Sequence, residues 1–444
     1  MENKGPVEKQ LHVPLSQGKI PKDWKWDRLD NISVGVWDCP HSTPKLAETG
    51  PYVVRTQDIR SGTLALNSTA HVSEETYRER IVRVTPSHGD LLYSREGTYF
   101  GIAAEVPRNV RLCLGQRMVL IRPNPSIAFA SFVRYWLNSP VMANHINGYR
   151  DGSVAERLNL PIIRGLPIIL PPLAEQKRIA GILGALDDKI ELNRKMNETL
   201  EHMARALFKS WFVDFDPVHA KAAGRKPAGI DKANCDLFPD ELVDSQLGTI
   251  PRGWRTATLS DCCEKIFSGG TPDRSRKDFW HGNIPWLSSG ETRNSFIIKT
   301  EECITPAGVD NSSTRLAKRG NTVIASAGQG QTRGQTSLLS GDFYINQSII
   351  ALEPKSGEPY ELLNYFGIER RYDELRQLSD SNSSRGSLTT KLVAQMPVII
   401  PPKQLLISFD KIVAPIVSAI VNNEAQSESL SSTRDAVLIK LLGK

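Results

Sequence analysis

PPLAEQKRIAGILGALDDKIELNRKMNETLEHMARALFKSWFVD, residues 171–214, is the stretch that decides the fold. Two prolines close what precedes it, and the next proline is Pro217. Proline is tolerated in a first helical turn because its missing N–H would be unpaired there. Ile179, Leu186, Asn193, Leu200 and Leu207 then fall seven apart. Leu183, Ile190, Asn197, Ala204 and Trp211 form a second row, offset by four. This is a heptad seam with asparagines in it. Some 35–40 helical residues at about 1.5 Å each make a rod of roughly 55 Å. Such a rod, with one apolar stripe, needs a partner helix.

The partner is expected at residues 401–442, PPKQLLISFDKIVAPIVSAIVNNEAQSESLSSTRDAVLIKLL. Adding 230 to the first row gives Phe409, Ile416, Asn423, Leu430 and Val437. The second row becomes Val413, Ile420, Ser427, Arg434 and Leu441. Both segments follow a double proline, and Asn193 and Asn423 hold the same place. A polar residue in an apolar seam lowers stability but fixes register and partner. The two segments are expected to pair with each other.

The same offset recurs elsewhere. IPKDWKWDRLDNI from Ile20 answers IPRGWRTATLSDC from Ile250, 230 residues on. PIILPP at 167–172 answers PVIIPP at 397–402 at the same offset, while Thr43-Pro44 answers Thr271-Pro272 at 228 and Gln116 answers Gln347 at 231. A repeat of this length is a pair of pseudo-symmetric domains, not a solenoid. Short apolar runs between Gly and Pro breaks, such as GDLLYSREG and NTVIASAG, read as strands. One helix-like piece closes each domain, at 127–146 and 360–378. The expected class is α+β: two mixed recognition domains (1–170 and 246–400) separated by two long antiparallel helices (171–214 and 401–444). Residues 215–245, rich in Pro, Gly, Ala and charge, read as a surface connector.

Composition sets the bounds. At 444 residues, two or three domains are expected. A net charge of +6 permits a polyanionic partner without requiring one. MENKGPVEKQ has no signal-peptide core, and no run suggests a membrane span. Cys39, Cys113, Cys235, Cys262, Cys263 and Cys303 lack metal or C-x-x-C spacing and read as reduced cytoplasmic thiols. No phosphate loop of the form G-x-x-x-x-G-K-[ST] is present. Asn283-Ile284-Pro285-Trp286 and Asp216-Pro217 lack the second proline of an amino-methyltransferase motif. Asp187-x-Lys189 has the letters of a nuclease motif but lies within the helix.

What the sequence does offer is donor-rich loops. Thr43, Lys45, Arg55, Gln57, Arg95, Tyr99 and Arg117 are the candidates for DNA contact in the first domain. Thr271, Arg274, Arg276, Lys277, Arg293, Ser326, Gln329, Gln331 and Arg333 are those in the second. Arg reads guanine, Gln reads adenine, and Ser, Thr and Lys bind phosphate.

At these residues the chain resembles the specificity subunit of a type I restriction–modification system, from Ile20 through Leu442. The resemblance rests on Ile250-Pro251-x-x-Trp254, Ser268-Gly269-Gly270-Thr271-Pro272, Ile284-Pro285-Trp286, Asn346-Gln347, Pro171-Pro172-Leu173-Ala174-Glu175-Gln176-Lys177-x-Ile179-Ala180 and Asp187-x-x-Ile190. It implies a non-catalytic subunit whose two domains each read one half of a split site on double-stranded DNA. It implies two methyltransferase subunits and two ATP-driven restriction subunits as partners. S-adenosylmethionine, ATP and Mg are then expected on those partners, with no cofactor or metal on this chain and no membrane contact. The second double proline departs from the family in leading to Lys403-Gln404-Leu405-Leu406. Pro415 stands where the first helix has Ala185, so a kink or late start is expected. Cys39-Pro40-His41-Ser42-Thr43-Pro44 replaces Ser-Gly-Gly-Thr-Pro in the first domain. The alternatives are a fragment of a single-chain restriction–methylation enzyme and a coiled-coil scaffold without DNA specificity.

Overall fold

The computed structural model describes residues 21–60, 62–97, 100–149, 157–328, 330–382 and 386–442. The chain divides into two compact units, one of residues up to 190 with 428 onward, the other of residues 191–427. Each long helix contributes to both units: one is Leu173–Phe212, the other Lys403–Leu442.

The offset of 230 survives as strand register. In the first unit Lys25–Arg28 pairs antiparallel with Pro167–Leu170, Lys25 opposite Leu170. In the second, Arg255–Thr258 pairs with Pro397–Ile400, Arg255 opposite Ile400. Leu29 N–H donates to Leu166 O at 3.0 Å, and Leu259 N–H to Met396 O at 2.9 Å. The main sheet of the first unit has the order Ser33–Asp38, Met118–Pro123, Leu91–Ser94, Ala103–Glu105. That of the second is Cys263–Ser268, Ile349–Pro354, Thr322–Ala325, Thr336–Leu339, with Phe296–Ile297 added at the edge. A smaller mixed sheet accompanies each. Leu46–Val54 is its middle strand in the first unit, and Trp280–Leu287 lies within the corresponding four-stranded sheet of the second.

Each helix-like piece is two helices. Ala130–Leu137 is followed by Pro140–Asn147, because the Ser139 side chain accepts from Met142 N–H and Pro140 fits a first turn. Glu361–Glu369 is likewise followed by Tyr372–Asn382.

The first long helix starts where a glutamine ties it down. Gln176 is fully buried. Its Nε2 donates to Ile127 O (3.0 Å) and Pro171 O (2.8 Å), and its Oε1 accepts from Phe129 N–H (2.8 Å). One side chain thus fixes the helix start to the turn leading into Ala130–Leu137. Ile179 and Leu183 then enter a core with Phe132 and Trp136. Burying each such side chain contributes about 1.5–3 kcal/mol. Gln176→Ala is expected to cost about 2–3 kcal/mol, because it strands buried backbone groups. Thermal unfolding checks this; a loss below about 0.5 kcal/mol, the level of a neutral surface change, would contradict it.

In the second unit the helices run antiparallel. Asn193 Nδ2 donates to Ser427 Oγ (3.1 Å), Gln426 Oε1 (2.9 Å) and Asn423 O (3.2 Å). Asn423 Nδ2 donates to Asn197 Oδ1 at 2.9 Å, and the Trp211 and Phe409 rings lie 5.9 Å apart. In the first unit Asp187 meets Arg434, and Leu438 joins the core. The expected seam is present with a drift. Phe208, Phe212 and Val417 are buried, whereas Leu207 and Ile416 are half-buried. A straight helix repeats every 3.6 residues and slips against a strict heptad.

Three expectations need correction. Residues 215–245 are no mere surface connector. Phe215, Val218 and Phe238 are buried in the second unit's core, Phe238 edge-on to Trp211 at 5.1 Å. Leu242–Ser245 pairs with Gly248–Pro251. Next, Pro415 neither delays nor ends the second helix, which starts at Lys403 and continues to Leu442. Pro415 and Lys411, whose carbonyl loses its partner, both lie on the exposed face, where water can satisfy that oxygen. Finally, Lys403–Leu438 holds an 18-residue window of mean hydropathy 1.7, long and apolar enough to cross a membrane. Its Phe409, Val413, Val417 and Ile420 are instead buried in the second unit's core.

Candidate nucleic-acid interface

In each unit the loop after the first strand of the main sheet is tied down by a glutamine from the turn before the 118–123 or 349–354 strand. Gln116 Nε2 donates to His41 O at 2.6 Å. Thr271 Oγ1 donates to Gln347 Oε1. Thus Gln116 and Gln347, matched in the sequence, hold equivalent loops in place. In the second unit Gly269 and Gly270 make this possible: a Cβ on Gly269 would collide with Ile345 O, and one on Gly270 with Ser313.

The loop that follows carries a stacked arginine. The Arg274 guanidinium lies 3.8 Å from the Trp280 ring centre and 5.1 Å from that of Trp286, and the two indoles meet edge-on at 5.1 Å. Its Nη2 donates to Glu302 Oε2 at 2.8 Å, and this guanidinium holds Glu302 below the usual carboxylate range. Arg276 pairs with Asp278 at 2.7 Å and lies over Phe279 at 4.5 Å. Lys277 is exposed beside them. Arg293 is held by Glu301 and by Gly290 O (3.1 Å). Exposed, pre-oriented guanidiniums can exchange a carboxylate for a phosphate or a guanine edge.

The other candidates divide. Thr43, Lys45, Gln57 and Gln331 are exposed. Gln331 has its carbonyl tied by the Tyr372 hydroxyl at 2.8 Å. Arg55 leans on Asp58 at 3.3 Å, and Arg117, at φ 67°, lies 3.3 Å from Glu96. Three assignments are corrected. Arg95 is 4% exposed and donates to Asp38 at 2.9 Å, so it braces the sheet end. Arg333 has a side chain 12% exposed, held by Asp380 and by Gly386 O (3.1 Å). Ser326 is buried, its N–H donating to Ser348 O and its carbonyl accepting from Leu388 N–H. Tyr99 and Gln329 lie outside the described residues. Trp280 and Trp286 were not singled out as an arginine platform. Their signal was two tryptophans six apart behind an Arg-rich loop. Among the described residues no cluster of His, Cys, Asp or Glu could hold a metal ion.

The family model for the type I restriction modification DNA specificity domain matches residues 45–202 and again 251–430. This chain belongs to that family. It is a specificity subunit with two target-recognition domains, the two repeats read from the offset of 230. It is similar to the type I restriction enzyme HindI specificity subunit of Haemophilus influenzae, 27% identical over 80% of this chain and 86% of that one. It is also similar to the MjaIX specificity subunit of Methanocaldococcus jannaschii, 25% identical over 96% of this chain and 94% of that one. A crystal structure of an S subunit from M. genitalium covers 96% of this chain and 98% of its own, with a TM-score of 0.55 and 15% identity; it shares the fold. As a specificity subunit the chain is a DNA-recognition component of a restriction–modification system, which leaves the coiled-coil scaffold without DNA specificity unsupported.

Proposed function

We propose that each unit reads one half of a split DNA sequence and that the pair of long helices serves as the spacer between the halves. The observation that carries this is the repetition of one loop arrangement in both units, with Gln116 and Gln347 bracing equivalent loops. In the second unit the reading surface is Thr271, Arg274, Arg276, Lys277, Arg293 and Gln331. In the first it is Thr43, Lys45, Arg55, Gln57 and Arg117.

Two methyltransferase subunits dock on the helix pair, and two restriction subunits join through them. In the second unit Leu192, Met196 and Met203 are 51%, 42% and 54% exposed along one face of the first helix, and Ile412 is exposed on the second. Only 28% of the apolar window in the second helix is buried. An uncovered apolar stripe on a helix is what a partner helix covers. S-adenosylmethionine, ATP and Mg belong to those partners, because this sequence has neither a phosphate loop nor an amino-methyltransferase motif. The complex works in the cytoplasm, in keeping with six free cysteines.

The purified chain is expected to transfer no methyl group and cut no DNA, and to confer sequence-specific methylation once its methyltransferase is added. Radiolabelled methyl transfer to duplex DNA checks both halves. Methylation by the chain alone, rising with its concentration, would contradict the non-catalytic assignment.

A further inference from the structure

The two long helices share one seam at an offset of 230, so the first helix is a potential partner for a second copy of itself. The asparagine layer does not prevent this. Asn193 reaches Ser427, the equivalent of Asn197, and Asn423 reaches Asn197, so the layer has two-fold character. Two copies of the first helix would keep this Asn193–Asn197 exchange, with Met196 standing where Gln426 accepts from Asn193.

A charged contact breaks the equivalence further. In the first unit Asp187 accepts from the Tyr135 hydroxyl at 2.6 Å, from Arg434 Nη1 at 3.0 Å and from Arg134 Nη2 at 3.5 Å. The Asp187 and Arg434 side chains are 20% and 21% exposed. Their equivalents at the offset of 230 are Val417 and Ala204, both buried in the second unit's core. If two first helices paired, the place of Arg434 would be taken by Ala204 of the second copy. Each Asp187 would then lose the guanidinium that comes from the facing helix. If two second helices paired, each Arg434 would lie against a valine. Losing one partner of a mostly buried ion pair is costly even with Tyr135 and Arg134 still beside Asp187 and Asp435 beside Arg434, and it discriminates against the wrong partner.

Timing gives the discrimination its importance. Residues 213–402 separate the two helices. At about 5–20 residues per second the first helix waits roughly 10–40 s for its partner to be made. During that time the first helix of another nascent chain can compete.

We propose that the Asp187–Arg434 pair selects the helix partner, steering the first long helix to a second long helix and away from the first helix of a second copy. The test co-expresses two differently tagged full-length chains and measures mixed-tag complexes by sequential capture. The wild-type pair is expected to yield few. Asp187→Val/Arg434→Ala, which makes both places alike, is expected to raise the mixed-tag fraction at least about tenfold. Asp187→Asn keeps the shape and the bond from Tyr135 while removing the charge, so it guards against a misfolded double variant; a rise of severalfold is expected. Asp187→Val alone should mix more than Arg434→Ala alone, because it frees the helix that is made first. Wild-type mixing in either the double variant or Asp187→Asn, with wild-type helical content by circular dichroism, would overturn the proposal.

Discussion

A matched insertion of four residues in both helices is expected to abolish methylation of the original site and create a new one with a longer gap. The insertions go between Asp188 and Lys189 and between Ser431 and Ser432, so Asp187 still meets Arg434 and Leu438 still reaches its core. An insertion in the first helix alone would break that pair. Four residues at about 1.5 Å each add about 6 Å, close to two base pairs at about 3.4 Å each. The methylated site should keep both half-sequences and gain one or two unspecified base pairs between them. Methylation of the original sequence should fall at least about a hundredfold, the effect of about 3 kcal/mol in recognition. A fully active variant with unchanged spacing would make the helices a packing device only.

Removing Arg274 should blur one position of the half-site read by the second unit. Its guanidinium lies across Trp280 and Trp286 and is tethered to Glu302, so little side-chain freedom remains to be lost on binding. Arg274→Ala is expected to cost about 1–3 kcal/mol, some 5- to 150-fold in affinity, against that base alone. Lys277→Ala should instead weaken all sequences alike and flatten the salt dependence by about one counterion. Competition binding across single-base variants of the site separates the two. If Arg274→Ala leaves both affinity and base preference intact, the arginine platform is structural.

The architecture was readable because it is written twice. Pro, Trp and double-Pro positions recurring at 230 predicted two pseudo-symmetric domains, and the strands that open and close each unit keep that offset in their register. The heptad rows picked out Ile179, Leu183, Asn193, Phe409, Val413 and Ile420, all of them buried. What was not readable depends on neighbours distant in sequence. Arg95 and Arg333 look like loop donors until Asp38 and Asp380 are brought beside them. Phe215, Val218 and Phe238 sit in a polar-looking stretch, and their burial depends on Trp211 and Trp254 arriving from elsewhere. Pro415 is tolerated because it falls on the exposed face, a matter of helix phase rather than composition. The asymmetry of Asp187 and Arg434 was visible only as one arginine in the second row of the later helix and an aspartate lying outside both rows of the earlier one.

The most direct test of a two-part reader is to map every methylated base in the genome of a host carrying this chain with its methyltransferase. The account predicts a single motif made of two specified half-sequences separated by a fixed unspecified gap, and a motif in which only the second half changes when residues 246–400 are exchanged for those of another specificity subunit. A continuous motif without a gap, or a second-domain exchange that rewrites both halves, would contradict it.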